Sequence, residues 1–237
     1  VPPVMEFDDG SARLSAANTD TFAMWAQAFG SWGHWEGNGN AASFSRDAGG
    51  LLVGGDAYVA DWRLGLVAGY SHSSFSLGER SSSGSSDNYH LGLYGGRKWG
   101  KVGFRSGVAY SWHDIDTSRS VSFPGFSEKL EGSYHAGTFQ AFGEVGYRLD
   151  VAPKTVFEPF ADLAHVSLKA DGFTETGGGA ALTGGSQTVD TTFTTLGLRA
   201  SHGFAFGTIE ATARGMVGWR HAFGDTVPTA AHAFVGG

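Results

Sequence analysis

The sequence predicts an all-β protein, an antiparallel up-and-down transmembrane β-barrel, and three observations lead there. Apolar and polar residues alternate with period 2 in nine successive segments. The connections between those segments alternate between short and long. The composition combines 38 glycines and 14% aromatic residues with only 16% charged residues, where soluble domains carry roughly 25% charged residues. Glycine weakens the strands of a soluble core. It suits a closely packed sheet with aromatic rings at its rims.

Taken in order, the first segment covers residues 22–32, and its faces are mixed. In the second, Leu51, Val53 and Ala57 alternate with Leu52, Gly54 and Asp56. The third is the clearest. Trp62, Leu64, Leu66, Ala68 and Tyr70 share one face, and Arg63, Gly65, Val67, Gly69 and Ser71 share the other. A tilted membrane strand needs about 9–11 residues with aromatics at both interfaces, and this segment meets both conditions. In the fourth, Tyr89, Leu91 and Leu93 alternate with His90, Gly92 and Tyr94. The fifth sets Val102, Phe104, Val108, Tyr110 and Trp112 against Gly103, Arg105, Gly107 and Ser111. The sixth sets Phe139, Ala141, Val145 and Tyr147 against Gln140, Glu144 and Arg148. In the seventh, Phe157, Ala161 and Leu163 oppose Glu158, Phe160 and Asp162, and Pro159 predicts a local bulge or bend because it cannot donate to the ladder. Leu196, Leu198 and Ala200 against Gly197, Arg199 and Ser201 make the eighth. Ile209, Ala211, Ala213, Val217 and Trp219 against Glu210, Arg214 and Arg220 make the ninth.

Short connections are expected at Ala60-Asp61, at Gly100-Lys101 and over residues 151–155 and 202–207. Long polar loops, expected to be mobile, cover residues 34–48, 76–87, 114–134 and 170–187. One rim of tight turns and one of long loops is the construction of bacterial outer-membrane barrels, with the tight turns in the periplasm. A soluble β-sandwich also alternates, but its strands average about 5–6 residues and its inner face is apolar. Here the face opposite the apolar one mixes glycine with arginine, glutamate and aspartate, as a hydrated lumen requires.

Several classes are excluded. With no cysteine, there are neither disulfides nor thiolate metal sites. A net charge of -7 gives no electrostatic footprint for nucleic acid. No apolar run approaches the roughly 18 residues of a membrane helix. The start, Val1-Pro2-Pro3-Val4, has no basic region followed by an apolar stretch, so no signal peptide is read there. The nine histidines are scattered without an HExxH pattern, and the serines lack the G-x-S-x-G setting of an activated nucleophile. No phosphate-binding loop is present. The expectation is therefore no enzyme, no catalytic residues, no cofactor and no metal.

Several stretches resemble the translocator domain of bacterial autotransporters, the type V secretion proteins. Trp25-Ala26-Gln27-Ala28-Phe29-Gly30-Ser31-Trp32 resembles that family's first strand. Leu52-Val53-Gly54-Gly55-Asp56 with Trp62-Arg63-Leu64-Gly65 resembles its second and third. Glu158-Pro159-Phe160-Ala161 resembles the start of its seventh, and Gly218-Trp219-Arg220-His221-Ala222-Phe223-Gly224-Asp225 its ninth. The resemblance implies a 12-stranded barrel that helps an N-terminal passenger across the outer membrane, with a linker helix in the lumen. On this basis residues 1–20 are expected to be linker, with residues 11–17 a helical stub, and residues 21–237 the barrel. The chain stops where the family's tenth strand would begin, so about nine of 12 strands are expected, without the terminal aromatic residue shown to the barrel-assembly machinery. The implied partners are the protein's own passenger and linker helix, outer-membrane lipid and that machinery, for a monomeric barrel. Asn18 is the only Asn near the junction and is followed by Thr19, with no Asn-Asn pair, so the in-barrel passenger cleavage of some family members is not carried over. A stand-alone porin or surface adhesin barrel is the other reading.

The candidate functional residues are the charges on the inward face: Asp56, Arg63, Arg105, Glu144, Arg148, Glu158, Asp162, Arg199, Glu210, Arg214 and Arg220. They either line a wet lumen and touch the linker helix or passenger, or pair with one another across strands as scaffold. Trp62, Tyr70, Tyr110, Trp112, Tyr147 and Trp219 fall at strand ends as membrane-interface anchors.

Overall fold

The computed structural model describes residues 4–8, 11–15, 22–36, 43–78, 81–206, 209–225 and 231–235. Nine long strands make its frame: β3 (Phe22–Trp35), β4 (Phe44–Val59), β5 (Trp62–Leu77), β6 (Ser82–Trp99), β7 (Val102–Phe123), β8 (Phe126–Tyr147), β10 (Thr155–Ala170), β13 (Gln187–Phe206) and β14 (Ile209–Gly224). They run from 14 to 22 residues. Each pairs antiparallel with the next in chain order, forming one curled sheet, a half-barrel. Short strands complete the set: β1 (Val4–Asp8), β2 (Ser11–Ser15), β9 (Leu149–Ala152), β11 (Phe173–Thr174), β12 (Leu182–Gly184) and β15 (His232–Phe234).

The faces follow the period-2 pattern. On β5, Leu64, Leu66 and Tyr70 are exposed on the outer face, Leu66 at 57%, while Ser71 is buried on the inner face at 8%. The same outward row continues through Tyr89, Leu91 and Leu93 on β6 and Val108, Tyr110 and Trp112 on β7. Exposed apolar surface on this scale would drive a soluble protein to aggregate, whereas hydrocarbon covers it at no cost. On β3, whose faces the sequence leaves mixed, Met24 is exposed at 64% and Trp25 turns inward to Tyr94.

Two of the tight turns lie where the sequence puts them, whereas residues 202–206, expected as a connection, continue strand β13 in register with β14. Ala60 and Gly100 both have positive φ, at 53° and 59°, in two-residue turns whose backbone twist matches the strands they join.

Three expectations are corrected. First, residues expected in the long loops are largely strand. β7 and β8 run through residues 114–134 as a continuous hairpin, closed by Phe123-Pro124-Gly125-Phe126. Proline fixes φ at the first turn position and Gly125 takes φ 86° at the second, the requirement of a type II turn. Likewise β6 begins at Ser82, inside the stretch read as loop. Beyond the membrane both faces are wet, so the apolar alternation that marks a strand fades while backbone pairing persists. Second, the helical stub expected at residues 11–17 is strand over Ser11–Ser15, in a hairpin with β1 that pairs onto β3 through Ala12↔Ala28 and Ser15↔Trp25. Unpaired strand edges attract such additions, and that edge outweighs a local helical preference. Ala16 and Ala17 lie outside the described residues. Third, β10 keeps its register with β13 straight through Pro159, opposite Leu198. The missing donor shows on the other side. Pairing with β8 begins only at Phe160↔Gly146 and pairing with β9 ends at Phe157↔Leu149. Arg148, at that lapse, donates its N–H to the Lys101 carbonyl instead (2.7 Å). The register shift in this strand lies between Thr155 and Val156.

Candidate functional site: the polar inner face

Three polar assemblies follow one another along the inner face. The first is a charge quartet. Cross-strand register sets Arg105 (β7) opposite Glu144 (β8), and Glu158 (β10) opposite Arg199 (β13). Arg105 bonds Glu144 and donates to Glu158 at 3.0 Å. Arg199 donates through Nη1 to Glu144 at 2.8 Å and to Glu158 at 3.0 Å, and through Nη2 again to Glu144. Its guanidinium lies 3.9 Å above the Phe160 ring. Two positive and two negative charges thus neutralise one another across four strands, with Glu144 buried. Asp162 lies in register between Glu144 and Thr195, and Arg220 donates to the Thr195 hydroxyl at 3.4 Å.

The second assembly centres on Asp56, which is buried. Arg63 bonds one carboxylate oxygen, and the Tyr94 hydroxyl donates to the other at 2.6 Å. Trp25 Nε1 donates to the Tyr94 hydroxyl, also at 2.6 Å. Tyr94 can reach across β5 because residue 65 is glycine: a Cβ there would come within 2.3 Å of the Tyr94 ring and 2.7 Å of the Asp56 Cβ.

The third is a belt of neutral groups nearer the long-loop side. His90 bridges Ser71 (2.9 Å) and Ser111 (2.7 Å) with its two ring nitrogens. Asn88 donates to the Ser71 carbonyl at 3.1 Å, and His113 links Asn88 to Thr138 at 2.6 and 2.8 Å. Nothing in the sequence pattern singled out this belt, because its members meet only through register. The inward parity of Ser71, His90 and Ser111 is its visible sign.

The remaining predicted residues stand apart from these clusters. Arg148 pairs with Asp150 at 2.9 Å and Glu210 with Lys154 at 3.6 Å, both on the tight-turn rim. Arg214 lies opposite Ser201. The predicted anchors are outward rings: Trp62 against Trp99, Tyr70 against Tyr89, and Tyr110 against Trp112. Tyr147 is exposed, and Trp219 is exposed and stacked on His221.

Beyond the belt, the strand extensions border an open hollow of about 900 Å³ with Asp47, Ser74, Ser85, Asp116, Glu131 and Thr176 among its lining. The segment carrying β11 and β12 folds over β7 and β8 there. Arg119 grips Glu175 bidentately at 2.8 and 2.6 Å and donates to the Ala180 carbonyl at 2.6 Å. Glu128 accepts the N–H groups of Gly179 and Ala180 at 3.0 and 2.8 Å. Beneath this latch Leu130 is fully buried. The Arg119 bond holds the Glu175 carboxyl below its usual range.

The arrangement is a polar inner face whose central charges pair with one another, and among the described residues no group of His, Asp and Glu could hold a metal ion. A family model, the autotransporter beta-domain, matches residues 24–237. Two extracellular serine proteases of Serratia marcescens are 40% and 38% identical over 218 residues. That match covers 91% of this chain, and the chain spans about a fifth, 21%, of each of those proteins. In fold, the chain is similar to the translocator domain of autotransporter NalP from Neisseria meningitidis, with a TM-score of 0.73 at 19% identity, covering 92% of this chain and 73% of that one. It is also similar to the beta domain of the Bordetella autotransporter BrkA, with a TM-score of 0.60 at 17% identity, covering 86% and 81%. The chain belongs to the autotransporter beta-domain family and is an outer-membrane β-barrel domain that supports passenger export.

Proposed function

We propose that the inner face is the wall of the export route. It gives an extended N-terminal passenger or linker segment a hydrated surface with no sticking point, and it does no covalent chemistry of its own. The observation that carries this reading is the charge quartet. Its four charges compensate one another, so none of the four is left to trap a passing chain, and the long apolar rows such as Leu64-Leu66 and Leu91-Leu93 face outward. The protease activity for which the Serratia relatives are named falls, on this reading, in the four-fifths of those proteins that the chain does not match.

The segment before residue 21 serves as the connection to the passenger, the barrel acts as a monomer in outer-membrane lipid, and the barrel-assembly machinery inserts it. Energy for export comes from outside the barrel, since passenger folding on the far side is enough to make the movement one-way.

Surface display of the passenger, scored by protease accessibility on whole cells, tests the wall. In the full-length protein, R105Q combined with R199Q strands Glu144 and Glu158 as uncompensated negative charges. Display should fall while the assembled barrel, read from heat-modifiable migration, is still present. E144Q and E158Q added to the same chain remove the stranded charges and should restore display. Unchanged display in the double arginine variant would remove the wall from the mechanism.

A further inference from the structure

Among the apolar rows of the outer face, a cationic side chain stands at the tight-turn rim. The outward row of β6 runs Tyr89, Leu91, Leu93, Gly95, Arg97 and Trp99. Arg97 stands opposite Trp62 on β5 and Phe104 on β7. Three rings frame it. Trp62 meets Trp99 edge-on at 5.8 Å and Phe104 at 6.2 Å, and the guanidinium lies 5.2 Å from the Trp99 centroid. Nη2 donates to Asp61 in the β4–β5 turn at 2.7 Å. Nε is buried with no acceptor among the described residues, a costly state for a charged group's donor. The fork that matches a phosphate bidentately is therefore only partly used. Asp61 is 74% exposed, so its carboxylate is open to a second cation.

A positive and a negative group side by side, in an aromatic frame at an interface, fit a headgroup that carries both charges. A phosphodiester joined by two carbons to a primary ammonium is such a headgroup. We propose that Arg97 and Asp61, framed by Trp62, Trp99 and Phe104, bind an ethanolamine glycerophospholipid of the periplasmic leaflet, with phosphate on Arg97 and ammonium on Asp61. This rests on the outer-membrane placement and on the tight turns lying at the periplasmic side. A simple interface anchor would hold any lipid alike. The paired site discriminates by headgroup, since a glycerol headgroup gives Asp61 no ammonium.

Native mass spectrometry of the full-length protein, extracted from outer membranes in detergent and offered equal phosphatidylethanolamine and phosphatidylglycerol, reads the site. The wild type should retain the ethanolamine lipid preferentially. R97Q should retain about tenfold less of it, the loss expected for charge-assisted hydrogen bonds, and R97K should fall between, because the ammonium lacks the fork. D61N, at an exposed turn that tolerates substitution, should keep phosphate binding and lose the headgroup preference. Heat-modifiable migration equal to wild type confirms folding in each variant, so a barrel that never assembled is not mistaken for one that lost its lipid. Equal retention by R97Q and wild type would overturn the proposal, as would a wild type that holds both lipids alike.

Discussion

At the scale of residues, the inner face is governed by pairs whose members lie far apart in sequence. Arg199 serves Glu144 and Glu158 together. Truncating it leaves two carboxylates, one of them buried, with Arg105 alone. Breaking a buried pair from one side costs about 3–5 kcal/mol. Partial exposure of the arginine brings Arg199→Ala below that range, to about 2–3 kcal/mol, read as a lowered urea midpoint of the detergent-folded protein. A midpoint within error of wild type would show that the quartet adds nothing to stability. Gly65 is a second lever. The space over it holds the Tyr94 ring, so Gly65→Ala must push the ring off Asp56 and break its link to Trp25. Overpacking of this kind costs about 1–3 kcal/mol, and quenching of Trp25 fluorescence should change in step. The sequence showed which residues point inward, because parity along a strand is local. It did not show that Tyr94, Trp25 and Asp56 meet, because that depends on the register of four strands and on a glycine that leaves room.

At the scale of elements, the β7–β8 hairpin carries the largest difference between what the sequence suggests and what forms. Serine, glycine and aspartate over residues 114–134 look like loop, yet backbone pairing continues to the Pro124-Gly125 turn. Its order has two supports. One is the turn itself. Gly125 has φ 86°, which costs a side-chain-bearing residue about 1–2 kcal/mol. Gly125→Ala should therefore speed amide exchange at the hairpin tip and leave the membrane rows unchanged. The other is the latch between Arg119 and Glu175. The Glu175 carboxyl is held below its ordinary value by the Arg119 hydrogen bond. A depressed carboxyl contributes stability that is fully present above its unfolded value, about 4.3. That contribution is lost as pH falls through the folded value. Amide protection over residues 173–184 should thus hold at neutral pH and fall on acidification below about pH 4. In Glu175→Gln the same segment should be less protected already at neutral pH, with no further loss on that account in acid. Equal protection of both proteins at neutral pH would show that the latch does not hold the segment.

At the scale of the whole molecule, the outward apolar rows and the alternation of tight turns with long hairpins fix the sheet's orientation in a bilayer. Both follow from a two-residue period readable in single strands such as β5. What the period cannot reveal is closure, since every strand in the middle of a sheet looks the same whether or not its ends meet. Among the described residues, the 16-residue strand β14 pairs with β13 on one side and with no strand on the other. The opposite end of the sheet is occupied by the short β1–β2 hairpin, which covers β3 only through Trp25–Ala28. Each unpaired backbone group in hydrocarbon costs several kcal/mol, so two long edges left in lipid would outweigh the few kcal/mol by which folded domains are stable. In the sheet as described the two long edges do not meet, so closure by these residues alone would need β14 and β3 to pair directly. The 237-residue segment refolded alone in detergent should then remain protease-sensitive and show no heat-modifiable monomer band. A compact, protease-resistant monomer from residues 1–237 alone would mean that β14 and β3 find each other directly. The β1–β2 hairpin would then have to leave the β3 edge, and a cysteine pair at Ala12 and Ala28, facing partners in the open sheet, would fail to cross-link.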